Sequence, residues 1–401
     1  MKINVVGGGP GSIELLTGAG ISEIKSADVV LTCLRLNDEF SDLNSNIKIM
    51  GIMDTIDYLK ENSNNPDLNV AVLASGDVGF YSIATTLRKH LDDGFEIELI
   101  PGISSFQYLA AKLKTGYEDW MFTSLHGLDK TIVPFASYYN KTFALTGGKW
   151  DVPAIISDLA RVGLGNLKMY IGERLGMQGE RITVGTPKAL VGMKFDKLSV
   201  ILIENEHYIC PYKLFKDEDY IRGRAPITKE HIRNLSVAAL SVCPTDVVWD
   251  VGAGSGGVTC ALALKAHEST VYAVEMKEEA IEVLNANVKA LKTYNVEIIS
   301  GSAPDALLNL PAPTKVFLGG TTGRLEQILD VVLSKNPNAT IVANAITLET
   351  IGTIIDVFKK KKLKTEISSA TIAKSKKIGN YNMMMGENPI YIVKGERDEE
   401  N

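Results

Sequence analysis

The stretch "VVWDVGAGSGGVTCALAL", residues 247–264, passes from an apolar run ending in an acid, through alternating glycines, into a helical pattern. Gly252, Gly254 and Gly257 fit G-x-G-x-x-G, the fingerprint of a dinucleotide-binding strand–turn–helix, while Gly252, Gly254 and Gly256 fit G-x-G-x-G equally well. The residue before the glycines separates the two readings. Asp250 stands two positions upstream of Gly252 and sets a carboxylate at the loop, which repels a pyrophosphate and attracts a cation. S-adenosylmethionine, with its ammonium and sulfonium, suits that loop better than a nicotinamide dinucleotide does. Further on, "STVYAVEMKEEAIEVLNANV" reads as a second strand ending in Glu275 and then a helix, and a carboxylate there can accept both hydroxyls of a ribose. A purely structural glycine turn needs no such distal acid.

Outward from this loop, residues 226–401 alternate strands and helices. "PITKEHIRNLSVAALSV" predicts a helix with Thr228 as N-cap, and "DVVWDVG", "TVYAVEM", "VEIISG", "KVFLGG" and "TIVANAI" predict strands separated by helices such as "GRLEQILDVVLSK" and "LETIGTIIDVFKKK". The pattern is a doubly wound, Rossmann-like sheet whose ligand crevice lies at the carboxyl ends of the strands. The tail "NYNMMMGENPIYIVKG" suits a closing hairpin, with the methionines at 383–385 as packing filler. Upstream, residues 209–225 are polar and aperiodic and read as a linker. Residues 1–208 are again α/β: "KINVVGGG", "DVVLTC", "NVAVLAS", "EIELIP", "KTFALTGG", "LKMYIGE" and "KLSVILIE" predict strands, and "GFYSIATTLRKHL" and "SSFQYLAAKL" helices.

A chain of 401 residues with 45% hydrophobic and 22% charged residues fits two ordinary globular domains. No apolar run has the length of a membrane span, and "MKINVVGGGPG" is too short and glycine-broken for a signal peptide, so a cytoplasmic location is expected. Cys33, Cys210, Cys243 and Cys260 stand far apart without a C-x-x-C pair, and the five histidines lack ligand spacing, so neither a metal site nor a disulfide framework is expected. Residues 1–208 carry 19 Lys and Arg against 25 Asp and Glu, and 209–401 carry 23 of each, a balance that argues against a nucleic-acid duplex as partner. One basic segment, 359–377, sets eight lysines against Glu366; it reads as a solvated helix end, or as a rim that draws in a polyanion.

Three loops of the first half share one character. "VVGGGPGSIELLT" (5–17), "LASGDVGFYSIA" (73–84) and "IPGISSFQ" (100–107) each follow a strand with glycines and small polar residues, and together they would line one crevice. With "SLHG" and "IGERLGMQGERITVGT", these loops resemble the tetrapyrrole methylase family, in the branch that methylates a corrin precursor. "PITKEHIR", "WDVGAGSGGVT", "GSAPDAL", "FLGG" and "NAITLET" resemble the partner methyltransferase that acts on the same macrocycle and removes a carboxylate. Joined in this order, the halves resemble the bifunctional decarboxylating precorrin-6Y methyltransferases of cobalamin synthesis, over nearly the whole chain.

The resemblance implies two S-adenosylmethionine sites. One would use Pro10, Gly76, Asp77, Phe80, Ser104 and Ser105; the other Thr228, Gly252, Ala253, Gly254, Ser255, Gly256, Glu275 and Ala303. It also implies methylation at meso carbon 5 by the first half, and methylation at meso carbon 15 with loss of an acetate carboxylate by the second. The expected partner is a small tetrapyrrole, with no nucleic acid and no membrane, and the chain is expected to form a homo-oligomer. Val78 departs from the family's "GDPG", which removes a φ constraint and shifts affinity; "LTCLRLND" is also a loose match. No residue stands out as a catalytic base, because an electron-rich macrocycle supplies its own nucleophile and positioning carries much of the barrier reduction. Gly319 and Gly320 would let a flat ring approach, and Arg324 would meet a substrate carboxylate. A methyltransferase of RNA or protein, a nicotinamide-dependent dehydrogenase and a non-catalytic donor sensor are the alternatives.

Overall fold

The computed structural model describes residues 1–91, 94–127, 130–224, 227–320 and 323–397. Two compact units emerge, one of Met1–Asp129, Lys141–Ala160 and Gly165–Glu204, the other of Lys130–Asn140, Arg161–Leu164 and Asn205–Asn401. Ala225 and Pro226, where the expected linker gives way to the second domain, lie outside the described residues.

The first unit holds two sheets. β1 (Lys2–Gly7), β2 (Val29–Thr32), β3 (Ile47–Ile49), β4 (Asn69–Ala74) and β5 (Glu96–Ile100) form a parallel sheet in the order β3-β2-β4-β1-β5. β1 and β4 are buried on both faces, which is why they read as continuous apolar runs. β6 (Trp120–Ser124), β7 (Lys141–Leu145), β8 (Lys168–Glu173), β9 (Arg181–Gly185) and β10 (Ser199–Glu204) form a mixed sheet in the order β6-β7-β10-β8-β9, in which only the β6–β7 pair is parallel.

The second unit is built on seven strands: β11 (Val248–Val251), β12 (Val271–Glu275), β13 (Val296–Ser300), β14 (Lys315–Leu318), β15 (Thr340–Ala345), β16 (Leu363–Ala370) and, after the pair β17 (Ala373–Ile378) and β18 (Tyr381–Gly386), β19 (Ile390–Arg397). The order β13-β12-β11-β14-β15-β19-β16 is doubly wound, parallel from β13 to β15, with β19 antiparallel between β15 and β16. Trp249, Val251, Val316, Leu318 and Ile341 from the strands meet Leu329 and Phe358 from the helices Leu325–Lys335 and Leu348–Lys360 in one core.

Four expectations change. The tail does not close on itself, because β18 pairs with β17 while β19 enters the large sheet. The methionines at 383–385 are exposed, since both faces of the two-stranded ribbon β17–β18 lack a covering layer. The lysines of 359–377 are only partly a helix end: the helix stops at Lys360, Lys364 lies on β16, and Lys374, Lys376 and Lys377 lie on β17. Thr228 is not an N-cap; that position falls to Lys229 before the helix Glu230–Leu240, and the Glu230 amide is instead satisfied by Asp217 Oδ1 at 2.8 Å.

Candidate active sites

In the first unit β4, β1 and β5 are neighbours, so the three glycine loops after them stand side by side. Gly9 and Gly76 exchange backbone hydrogen bonds of 3.1 and 2.8 Å. A Cβ on Gly7 would lie 2.6 Å from the Gly102 nitrogen, and one on Gly102 2.6 Å from the Gly7 carbonyl oxygen, so only glycine permits this approach. Asp77 locks the arrangement, with Oδ1 accepting from the Gly79 amide (2.8 Å) and Oδ2 from the Gly102 amide (3.1 Å). The loops enclose a cavity of 770 Å³ lined by Pro10, Gly76, Asp77, Phe80, Ser104 and Ser105, all six expected from the sequence. Gly76 has φ of +71° and no atom within 4 Å of where a Cβ would stand. The Phe80 ring packs edge-on against Phe106 and Phe122. Val78 is turned away into the apolar core of the parallel sheet.

Sequence reasoning missed the basic residues of this cavity, Arg35, Lys89 and Lys197, and also His126. Arg35 belongs to the loosely matching "LTCLRLND" and donates to Ser75 Oγ at 2.5 Å. Its signal was a lone arginine after a strand, which by itself marks nothing.

In the second unit β11 leads into Gly252, Gly254 and Gly256, all with positive φ (78°, 56° and 84°), and then the helix Gly257–Lys265. A Cβ on Gly252 would lie 2.7 Å from the Gly320 nitrogen, and one on Gly319 2.7 Å from the Gly252 oxygen. Gly319 therefore serves loop-to-loop contact first. Gly254 has open space where a Cβ would stand.

Asp250 is fully buried. Its Oδ2 accepts from Thr259 Oγ1 at 2.5 Å, and its Oδ1 has no hydrogen-bond partner among the described residues. Burial, reinforced by the charge of Glu275 and opposed by the Thr259 bond, pushes its pKa up to about 7. Ser255 Oγ is likewise buried and unpartnered. Both residues line a cavity of 630 Å³ with Thr228, Gly252, Ala253 and Gly254.

Gly256, Glu275 and Ala303 do not line that cavity. Gly256 precedes the helix, and a Cβ on it would strike Leu284. Glu275 supports the loop, its carboxylate accepting from the amides of Gly254 (2.8 Å), Met276 (2.9 Å) and Lys277 (3.0 Å). Ala303 packs against the core of the large sheet. Arg324, away from the cavity, donates to Ser302 Oγ. The far wall includes Lys229 and Glu387, ion-paired at 2.8 Å, which the sequence separates too widely to suggest a pair.

Comparison with known proteins accords with this geometry. Residues 2–191 match the model of the tetrapyrrole (corrin/porphyrin) methylases, and residues 219–396 that of the precorrin methyltransferase domain. A Methanocaldococcus jannaschii protein named "Probable cobalt-precorrin-6B C(15)-methyltransferase (decarboxylating)" is 38% identical over 185 residues, covering 46% of this chain and 98% of that one. A Sinorhizobium sp. precorrin-6Y C(5,15)-methyltransferase [decarboxylating] is 27% identical over 295 residues, covering 72% of this chain and 70% of that one. A crystal structure titled precorrin-6y C5,15-methyltransferase, from Geobacter metallireducens GS-15, shares 29% identity and a TM-score of 0.44 over 46% of this chain and 96% of that one. With a tetrapyrrole methylase half followed by a precorrin methyltransferase half, the chain belongs to the decarboxylating precorrin-6Y methyltransferase family.

Proposed function

We propose that the chain is a precorrin-6Y or cobalt-precorrin C(5,15)-methyltransferase of cobalamin synthesis, transferring two methyl groups to carbon and releasing one acetate carboxylate as carbon dioxide. The observation that carries this reading is that one chain holds two separate glycine-loop cavities, each at the carboxyl ends of parallel strands in its own unit. On this reading residues 1–208 form the domain that methylates meso carbon 5, residues 209–225 connect, and residues 226–401 methylate meso carbon 15 and decarboxylate.

Each cavity is proposed to hold S-adenosylmethionine, which supplies a methyl group activated by a positive sulfur. The fit is supported in the second unit by the unpartnered Asp250 Oδ1 and Ser255 Oγ and by the open face of Gly254. There the Asp250 carboxylate attracts cationic charge in a site of low dielectric. In the first unit the open face of Gly76 plays the part of Gly254, and Asp77 holds the loops rather than the ligand. Arg35, Lys89 and Lys197 give the first cavity a basic wall suited to a macrocycle bearing several carboxylates. We further propose that the active form is a homo-oligomer without nucleic acid. No helix among the described residues is long and apolar enough to cross a membrane.

Incubation of the full chain with labelled donor and the metal-free or cobalt-bearing tetrapyrrole tests the reading. The expected product gains two labelled methyl groups and loses one carboxylate. Labelled RNA or protein, with unchanged tetrapyrrole, would favour the broader reading of a methyltransferase with another acceptor.

A further inference from the structure

We propose that residues 215–221, which composition alone reads as a tether, are a positioning element of the second donor site, working through Tyr220, Arg233 and Asn287. The proposal rests on the donor reading of that cavity. Tyr220 is buried, and its hydroxyl donates to the Gly257 carbonyl at 3.0 Å. Its ring lies 4.6 Å from the Arg233 guanidinium. Arg233 is fully buried and donates to the carbonyls of Phe215 (2.7 Å) and Thr228 (2.8 Å) and to Asp217 Oδ1 (3.2 Å). Asn287, also fully buried, donates to the carbonyls of Ile221 (3.0 Å) and Ser255 (2.8 Å) while accepting from the Ile221 amide (2.7 Å).

Thr228, Ser255 and Gly257 all line the donor cavity. The carbonyl of each is thus bound by a side chain that belongs to the segment or grips it. Asp217 adds a fourth tie by satisfying the Glu230 amide, which fixes the start of the helix just after Thr228. Phe215 and Tyr220 anchor the segment in a core that includes Ala253 and Cys260, on either side of the loop's turn into its helix. A buried guanidinium is costly unless its donors are used, and here three bonds from its Nη groups join the segment to the cavity wall, while Nε has no partner among the described residues. Walls ordered in advance lower the ordering cost paid when the ligand arrives. The segment therefore sets donor affinity in the second unit, although no atom of it need touch the donor.

The test uses the full chain and S-adenosylhomocysteine as probe, with the Gly254→Asp chain identifying which binding event belongs to the second unit. Tyr220→Phe removes one hydroxyl and keeps the ring. It should weaken the second-unit event about five- to tenfold, the size of one hydrogen bond to a backbone carbonyl, and leave the first-unit event unchanged. KM for the donor in the second methylation should rise by the same factor, with kcat within about twofold. Arg233→Met should weaken the same event further. If Arg233→Met fails to fold, Tyr220→Phe decides alone. Wild-type second-unit affinity in Tyr220→Phe, beside a wild-type chain that takes up two equivalents, overturns the positioning role only. A wild-type chain that takes up no donor in its second unit overturns the donor reading, and this proposal with it.

Discussion

At the scale of single residues, the two donor loops give separable outcomes for glycine substitution. Gly254 has φ of +56° and open space beside it, and aspartate tolerates that backbone region better than most residues. Gly254→Asp should therefore fold normally, lose donor binding in the second unit and keep it in the first, as calorimetry with S-adenosylhomocysteine would show by a fall from two equivalents to one. Two equivalents at normal affinity would misplace the loop. Asp250 gives a pH-dependent outcome. Its pKa in the folded state, about 7, lies above the unfolded value of about 4, so the folded chain holds a proton that the unfolded chain releases between those limits. Its contribution to stability thus falls as pH rises from about 4 to about 7, and stays low above that. Asp250→Asn should raise the melting temperature of the ligand-free chain at pH 8 more than at pH 5, by on the order of 1–3 kcal/mol of stability. In the parent, S-adenosylmethionine affinity in the second unit should rise between about pH 6 and 8 as Asp250 ionises; Asp250→Asn should flatten that rise and weaken the affinity at pH 8 by about tenfold. An unchanged pH profile would show that the carboxylate does not meet the donor's charge.

At the scale of elements, the loops after β1 and β5 are mutually dependent, because each occupies the space a side chain would need on the other. Gly102→Ala places a methyl 2.6 Å from the Gly7 carbonyl oxygen and 2.7 Å from that of Gly76. The backbones must separate, at a cost of about 1–3 kcal/mol. The first-unit donor event should disappear while the second persists; retention of both would mean that the loops can part without harm. The central parallel strands β1 and β4 were legible in the sequence because burial on both faces leaves an unbroken apolar run, as in "KINVVG" and "NVAVLA". β3, β6, β9, β16 and β17 were not. β3, β6, β9 and β16 lie at sheet edges, where the apolar pattern relaxes, with Ile49, Val184 and Ile367 exposed, and β17 lies in the exposed two-stranded ribbon. All six cavity residues expected in the first unit do line its cavity, because glycine loops at strand ends mark a crevice in any doubly wound sheet. In the second unit, Glu275 came from its place at a strand end and Ala303 from family pattern, and each marks a position while leaving open whether the residue lines the cavity or supports it. Lys229, Glu387 and the ties of residues 215–221 depend on distant segments meeting, which spacing along the chain does not encode.

At the scale of the whole molecule, the proposed chemistry divides between residues 1–208 and 226–401, while the second compact unit also takes in Lys130–Asn140. Tyr138, fully buried, donates to Asn295 Oδ1 at 2.6 Å, and Asn205 donates to the Ala136 carbonyl at 2.8 Å. Fragment 209–401 should therefore bind donor, since every residue lining its cavity lies beyond 226, but melt well below the same unit in the intact chain. The loss of Tyr138 removes a buried aromatic and orphans a buried oxygen, on the order of 3–5 kcal/mol. Fragment 1–208 should methylate without releasing carbon dioxide. Carbon dioxide from the first fragment, or equal melting temperatures for fragment 209–401 and the intact second unit, would contradict this division. The placement of β19 between β15 and β16 bears on how the molecule is made. On the ribosome β16 emerges before the strand it must join, and until residues 390–397 clear the exit tunnel the sheet stops at β15 with its edge bare. The first unit's sheets are complete well before then, so a newly made chain passes through an interval with one finished unit and one waiting on its last strand. In that interval the β15 edge presents the unpaired N–H and C=O groups that β19 later takes up, a template on which a strand of another chain can pair.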